Sequence, residues 1–146
     1  MGRVLKLKGG LSLEECLESI SNSLGLNTSK CNNFLVRFTR GLSKRSIERV
    51  AICAGSGNNG FLGSSVLKNA DADLFITGEM GHHDLLYFSR FKKSSCILME
   101  HTNSERGYLS EIFREKLKSQ MVKNFEFQGE VYASECDIDP IEFFSH

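Results

Sequence analysis

The sequence has a single proline in 146 residues, which excludes a proline-rich disordered chain. It also lacks net charge: 18 Lys and Arg balance 18 Asp and Glu. The domain-wide basic excess of an electrostatically driven nucleic-acid binder is therefore missing, and direct nucleic-acid binding is not expected. The densest basic stretch holds Arg37, Arg40, Lys44, Arg45 and Arg49 against Glu48, and it reads as a solvated face. No apolar run approaches the ~20 residues that span a bilayer, so no membrane role is expected. Residues 1–10 are short, basic and glycine-ended, and the expectation is that no signal peptide opens the chain. The five cysteines (Cys16, Cys31, Cys53, Cys96, Cys136) are odd in number and scattered, with no CxxC. That argues against a disulfide framework or a zinc ribbon and for a reducing, cytoplasmic compartment. Cys53 and Cys96 sit in apolar runs and read as small core residues. No internal repeat or low-complexity stretch is present.

What is present is the composition of an ordinary globule, 40% hydrophobic and 25% charged, at the length of one domain. The reading is a single domain over 1–146, with 1–45 as a less regular lead-in. Residues 4–8 alternate as a short strand that Gly9-Gly10 ends. Ser12 and Glu15 form a capping box for a helix carrying Leu13, Leu17, Ile20 and Leu24, which Gly25 closes. Residues 33–39 read as a strand and 41–43 as a turn. Residues 47–54 are a strong buried strand. A β-loop-α rhythm follows: a helix over 61–69, a strand over 73–77, a helix over 82–91 and a strand over 95–99. A tight loop over 100–103 leads to a long helix over 103–121, with Leu109, Ile112, Phe113 and Leu117 on its apolar side. The last strand is expected over 125–134, because Phe125, Phe127 and Val131 fall on one face. The alternation predicts an α/β layered fold, a mainly parallel sheet flanked by helices. Ligands bind such folds at the carboxyl ends of strands. The polar clusters at 55–60, 78–84 and 100–105 all fall there.

Each cluster has a chemical and a plain reading. Gly55-Ser56-Gly57-Asn58-Asn59-Gly60 fits G-x-G-x-x-G, with Asp73 or Glu79 as the acidic residue of a dinucleotide site. It fits a generic anion or substrate loop better, and then a structural turn, because the helix after Gly60 is short and Glu79 does not directly end its strand. Thr77 closes the next strand nearby, and Glu79 follows it after Gly78 rather than ending the strand. Glu79-Met80-Gly81-His82-His83-Asp84 gathers four ionisable groups. Adjacent histidines on a helix point about 100° apart, so His82 and His83 do not both suit one metal. A role for His82, His83 and Asp84 in orienting the neighbouring site, or in subunit packing, fits better. His101 and Glu105 lie four apart at the end of a buried strand, and imidazole with carboxylate suits zinc, iron or manganese. Thr102 with Glu105 is also a capping box. Two ligands fall short of the three or four protein ligands of a tight site. The acidic stretch 134–140 reads as a turn-forming tail or a contact to a neighbouring subunit; it lacks the glycine and spacing of a calcium loop.

Taken in order, four segments resemble one family: Cys-Ala-Gly-Ser-Gly (53–57), Ala-Asp-Leu-Phe-Ile-Thr-Gly-Glu-Met-Gly-His-His-Asp (72–84), Glu-His-Thr-Asn-Ser-Glu-Arg-Gly-Tyr-Leu (100–109) and Ser-Glu-Cys-Asp-Ile-Asp-Pro (134–140). Together they are similar to the C-terminal half of the NGG-one-interacting factor three (Nif-three-like) family, also called GTP cyclohydrolase I type II homologues. The wording of the third segment resembles the eukaryotic branch. The resemblance implies an α/β fold, a ring-like homo-oligomer, typically a hexamer, and a pair of divalent metals in a cleft. It implies that His101 and Glu105 are metal ligands, and that Gly55, Ser56, Gly57, Thr77 and Glu79 line the substrate region. The remaining family ligands, a His pair and an Asp, fall in an N-terminal half outside this chain, so the resemblance implies an incomplete site here. Three functions follow as expectations. One is a metal-dependent hydrolase; another is a non-catalytic interaction module for transcriptional coregulators, cytoplasmic or nuclear; the third is a nucleotide-binding domain using the glycine loop.

Overall fold

Three short apolar runs become the centre of a five-stranded sheet. The computed structural model describes residues 2–23, 36–40, 46–57, 71–134 and 136. The expected helix at 61–69, the turn at 41–43, the helix stop at Gly25, loop residues 58–60 and most of the 134–140 tail lie outside them. Two compact units are present, Met1–Ser104 and Glu105–His146.

The first unit runs β1 (Arg3–Leu11), α1 (Leu13–Ser23), β2 (Arg37–Thr39), β3 (Ile47–Ser56), β4 (Leu74–Glu79), α2 (His82–Leu86), a π-helical turn (Tyr87–Phe91) and β5 (Ser95–Leu98). Helix α3 (His101–Gly107) begins in this unit. The sheet order is β1-β3-β4-β5-β2. β3, β4 and β5 are parallel, while β1 and β2 are antiparallel edges on β3 and β5. The mainly parallel sheet is thus the central part of a mixed one.

Side chains alternate across a strand, and here both faces are covered. Ala51 and Cys53 of β3, Phe75 of β4 and Cys96 of β5 point to one side, where Phe88, Met80 and Leu85 pack on them. The rings of Phe75 and Phe88 lie 4.4 Å apart. Val50, Leu74 and Ile97 point to the other side, against Leu13, Cys16, Leu17 and Ile20 of α1. Cys53 and Cys96 are therefore core residues, as their apolar neighbours in sequence predicted. The Ser12–Glu15 capping box forms: the Ser12 N–H donates to Glu15 Oε2 at 2.7 Å, and the Glu15 N–H to Ser12 Oγ at 3.1 Å.

Several boundaries differ from the sequence reading. β1 does not stop at Gly9-Gly10 but runs to Leu11, because Gly9 adopts φ +81° and the register with β3 shifts between Lys6 and Leu11. Glycine here makes a bulge where the strand was expected to end. The 82–91 helix exists, but its second half widens to a π turn in which the Lys92 N–H donates to the Tyr87 carbonyl. The tight loop at 100–103 is absent. Glu100 alone makes the turn, in the left-handed region at φ +63°, and α3 starts at His101.

In the second unit the expected long helix is interrupted. A π-helical stretch (Tyr108–Phe113) separates α3 from α4 (Arg114–Phe125). The Ser110 hydroxyl donates back to the Arg106 carbonyl at 3.0 Å within the widened stretch. α4 ends where Glu126 turns left-handed, φ +53°. Residues 126–134 are irregular, so the strand expected there is a misreading. Alternating Phe125, Phe127 and Val131 satisfy the pattern of a strand, but a strand also needs a partner, and none pairs with this segment among the described residues.

Candidate functional site

Parallel pairing of β3, β4 and β5 brings their carboxyl ends to one edge of the sheet. Ser56 of β3 is in register with Glu79 of β4, and the Met99 N–H, just past β5, donates to the Thr77 carbonyl at 2.8 Å. The clusters at 55–57, 78–79 and 100–104, separate in sequence, therefore meet.

Their meeting is tight. The Ser104 hydroxyl accepts the Gly55 N–H at 2.9 Å and donates to the His101 carbonyl at 2.7 Å. The Thr77 hydroxyl donates to the Gly55 carbonyl at 3.2 Å. Gly55, at φ +69°, turns there into a conformation that costs other residues strain. Gly78 has no room for a side chain: a Cβ would lie 2.7 Å from the Gly55 carbonyl oxygen, 2.7 Å from Ser104 Oγ and 2.9 Å from the Glu100 carbonyl oxygen. Of the residues expected to line a substrate site, Gly55, Gly57 and Thr77 are buried, and Thr77 is a strut between strands. Ser56 is partly exposed and Glu79 exposed.

Glu79 meets His101. His101 Nδ1 lies 2.9 Å from Glu79 Oε1, with both side chains about half exposed. A carboxylate only accepts, so Nδ1 is the donor, and in the neutral ring Nε2 then carries the lone pair. This is the arrangement in which a carboxylate fixes the tautomer of a metal-binding histidine. Glu105 is four residues from His101 in α3, the helical spacing that sets two side chains on one helix face. Among the described residues no group of three or more His, Cys, Asp or Glu is gathered to hold an ion. Glu79 and His101 bring together one carboxylate and one imidazole, donor types that metals take but fewer than the three or four protein ligands of a tight site.

His82 and His83 open α2, their rings edge to face at 5.7 Å and both exposed; Asp84 follows, partly buried. Asp73 cannot serve the glycine loop. It precedes β4, at the opposite end of the strand, where its Oδ2 accepts the backbone N–H groups of Glu48 and Arg49, each at 2.9 Å.

Two features had no sequence signal. One is Ser104, whose hydroxyl ties two loops together. The other is an ion pair beside the histidine: Glu100 Oε1 accepts Nε and NH2 of Arg37 at 2.9 and 2.8 Å. Arg37 was read as part of a solvated basic face; 63 positions separate it from its partner.

Comparisons with known proteins agree with the fold. The sequence model of the family described as Duf34/NIF3 (NGG1p interacting factor 3) matches residues 1–140. NIF3-like protein 1 of Bos taurus is 39% identical over 144 residues, covering 97% of this chain and 33% of the relative. Protein NIF3 homolog of Schizosaccharomyces pombe is 36% identical over 140 residues, covering 96% of this chain and 45% of the relative. The chain thus spans between a third and a half of the length of these curated relatives. Among solved structures, Staphylococcus aureus protein SA1388 superposes with a TM-score of 0.71 at 25% identity, over 98% of this chain and 37% of that one.

Proposed function

Because the chain belongs to the Duf34/NIF3 family, we propose that it is the divalent-metal-binding part of a metal-dependent hydrolase of the GTP cyclohydrolase I type II homologue class. The observation that carries this reading is the Glu79–His101 pair, a carboxylate holding an imidazole at the carboxyl end of parallel strands. His101 and Glu105 would hold the ion: zinc, iron or manganese. When bound, such an ion supplies Lewis-acid chemistry, polarising an oxygen of substrate or water. The chain's own residues set the frame. Glu79 orients the ring of His101, Ser104 fastens the start of α3 to the glycine loop, and His82, His83 and Asp84 flank the edge on α2. The remaining ligands would come from outside these 146 residues.

The test is elemental mass spectrometry on untagged, gel-filtered protein, with the elution volume recorded in the same run. The reading expects near-stoichiometric metal in a large assembly, and its loss in His101→Ala with the circular dichroism spectrum retained. A metal-free wild-type chain eluting as a monomer overturns it.

A second reading is an interaction module for transcriptional regulators, acting in the cytoplasm or nucleus. It is favoured by the family description, which names an interaction with NGG1p. Capture by a purified coactivator subunit, unchanged by chelator, would support it. In the third reading a nucleotide binds the glycine loop. It must use Ser56, Gly57 and the residues beyond, because both backbone groups of Gly55 are bonded within the fold. A fluorescent nucleotide titration with and without chelator separates it from the first. Among the described residues no helix is long and apolar enough to cross a membrane.

A further inference from the structure

The histidine at the strand end is aimed from an unusual pivot. Glu100 precedes it in the left-handed region, φ +63°, where a residue with a Cβ is strained. Such a conformation persists only when its surroundings hold it. Three contacts do so. The Glu100 carbonyl accepts the Ser104 N–H at 3.1 Å, in the first turn of α3. The same carbonyl is packed close to Gly78, which has no side chain to displace it. The Glu100 carboxylate, only 12% exposed, is gripped by Arg37 through two N–H groups. Arg37 is itself held, because it opens β2 and pairs with Leu98, two residues before Glu100.

We propose that Arg37 and Glu100 are positioning residues for His101: their ion pair locks the left-handed pivot from which α3 leaves the sheet, and so keeps the imidazole on Glu79. This rests on the metal-site reading for its purpose, but not for its geometry. The edge strand β2 is three residues long, and the ion pair ties it to the site as well as to the sheet. Without the pair, Glu100 can relax toward φ < 0, which swings the first turn of α3. His101 directly follows the pivot and would move away from Glu79. Glu79 belongs to β4 and would stay in place.

The test uses Arg37→Gln, Arg37→Lys, Glu100→Gln and Glu100→Gly in the 146-residue protein, freed of metal by chelator. Long-range proton–nitrogen NMR of the histidine rings reports the tautomer of His101, assigned by His101→Ala. The wild type is expected to show a single Nδ1–H tautomer. Arg37→Gln and Glu100→Gln are expected to show averaged tautomers, and Arg37→Lys to restore the wild-type pattern in part. Glu100→Gly removes the strain along with the carboxylate, because glycine adopts φ > 0 without cost, so it should fold at least as well as Glu100→Gln and keep the wild-type ring. It keeps the test alive should Glu100→Gln not fold. Zinc affinity, measured by competition with a chromophoric chelator, is expected to fall about tenfold in the averaged variants. If Arg37→Gln keeps the wild-type ring signature, or Glu100→Gly shows the averaged one, the proposal is wrong, whatever happens to melting temperature. If the signature changes as expected but the wild type takes up no zinc, the pivot stands and the metal reading fails.

Discussion

Gly78→Ala tests whether the strand ends are packed as described. The new methyl would lie 2.7 Å from the Gly55 carbonyl oxygen, 2.7 Å from Ser104 Oγ and 2.9 Å from the Glu100 carbonyl oxygen. Two of these are backbone atoms in residues of positive φ, which cannot swing aside as a side chain can. Overpacking of this kind costs roughly 1–3 kcal/mol, and the immobility of the neighbours puts this site at the upper end, about 2–3 kcal/mol. In a unit of about 100 residues, Met1–Ser104, each kcal/mol moves the midpoint by roughly 4–8 °C, so a fall of about 10 °C or more is expected. Gly107→Ala is the matched control. It makes the same chemical change in α3, with nothing within 4 Å of the new methyl, and should gain about 0.5–1 kcal/mol from helix propensity. Thermal unfolding followed by circular dichroism reads both. Opposite signs support the packing; a Gly78→Ala midpoint within about 3 °C of wild type refutes it.

Asp73→Ala leaves two backbone N–H groups at the start of β3 without their acceptor, and should cost about 1–3 kcal/mol in urea unfolding, with Asp73→Asn milder; equal stability of all three proteins would show that Asp73 does not hold the strand. Ser12→Ala removes the N-cap hydroxyl of α1 and should cost about 1 kcal/mol in the same assay. The Ser12 backbone N–H holds the Glu15 carboxyl below its ordinary value. Glu15 therefore stabilises the fold above the ordinary carboxylate range, and that contribution is lost as pH falls through its depressed value. The stability gap between wild type and Glu15→Ala should shrink in acid, and a gap constant from neutral to acid pH would contradict the capping box. Burial pushes the Cys96 thiol up to about 11, and the side chain is fully enclosed. A thiol reagent at pH 8 should modify exposed Cys136 in the native protein and reach Cys96 only after denaturation, as peptide mapping would show. Native-state labelling of Cys96 at the rate of Cys136 would refute its burial.

Much of the site was legible because its chemistry is concentrated in short segments. The three polar clusters each follow an apolar run, and the rule that parallel strands present ligands at their carboxyl ends placed them together. Partners distant in sequence were not legible. Nothing in residues 33–39 announces that Arg37 grips Glu100, and nothing marks Ser104 as the link between α3 and Gly55. Asp73 shows the converse. Its spacing from the glycine loop suited a dinucleotide site, yet the strand direction puts it at the other end of β4.

Local rules settle what depends on neighbours in the chain. Ser12 and Glu15 can cap only α1, because their groups reach each other across one helical turn. The apolar runs at 47–54, 73–77 and 95–99 must be buried strands, because too many of their side chains need covering. Tertiary structure decides what depends on partners. It made β1 and β2 antiparallel edges, and it left 126–134 without a strand where the alternation alone favoured one. It also turned Glu100 left-handed and set His101 on Glu79, 22 residues away. Sequence patterns record which face of an element is apolar; the neighbour that meets that face, and the charge that meets a charge, follow only once the strands are ordered in the sheet.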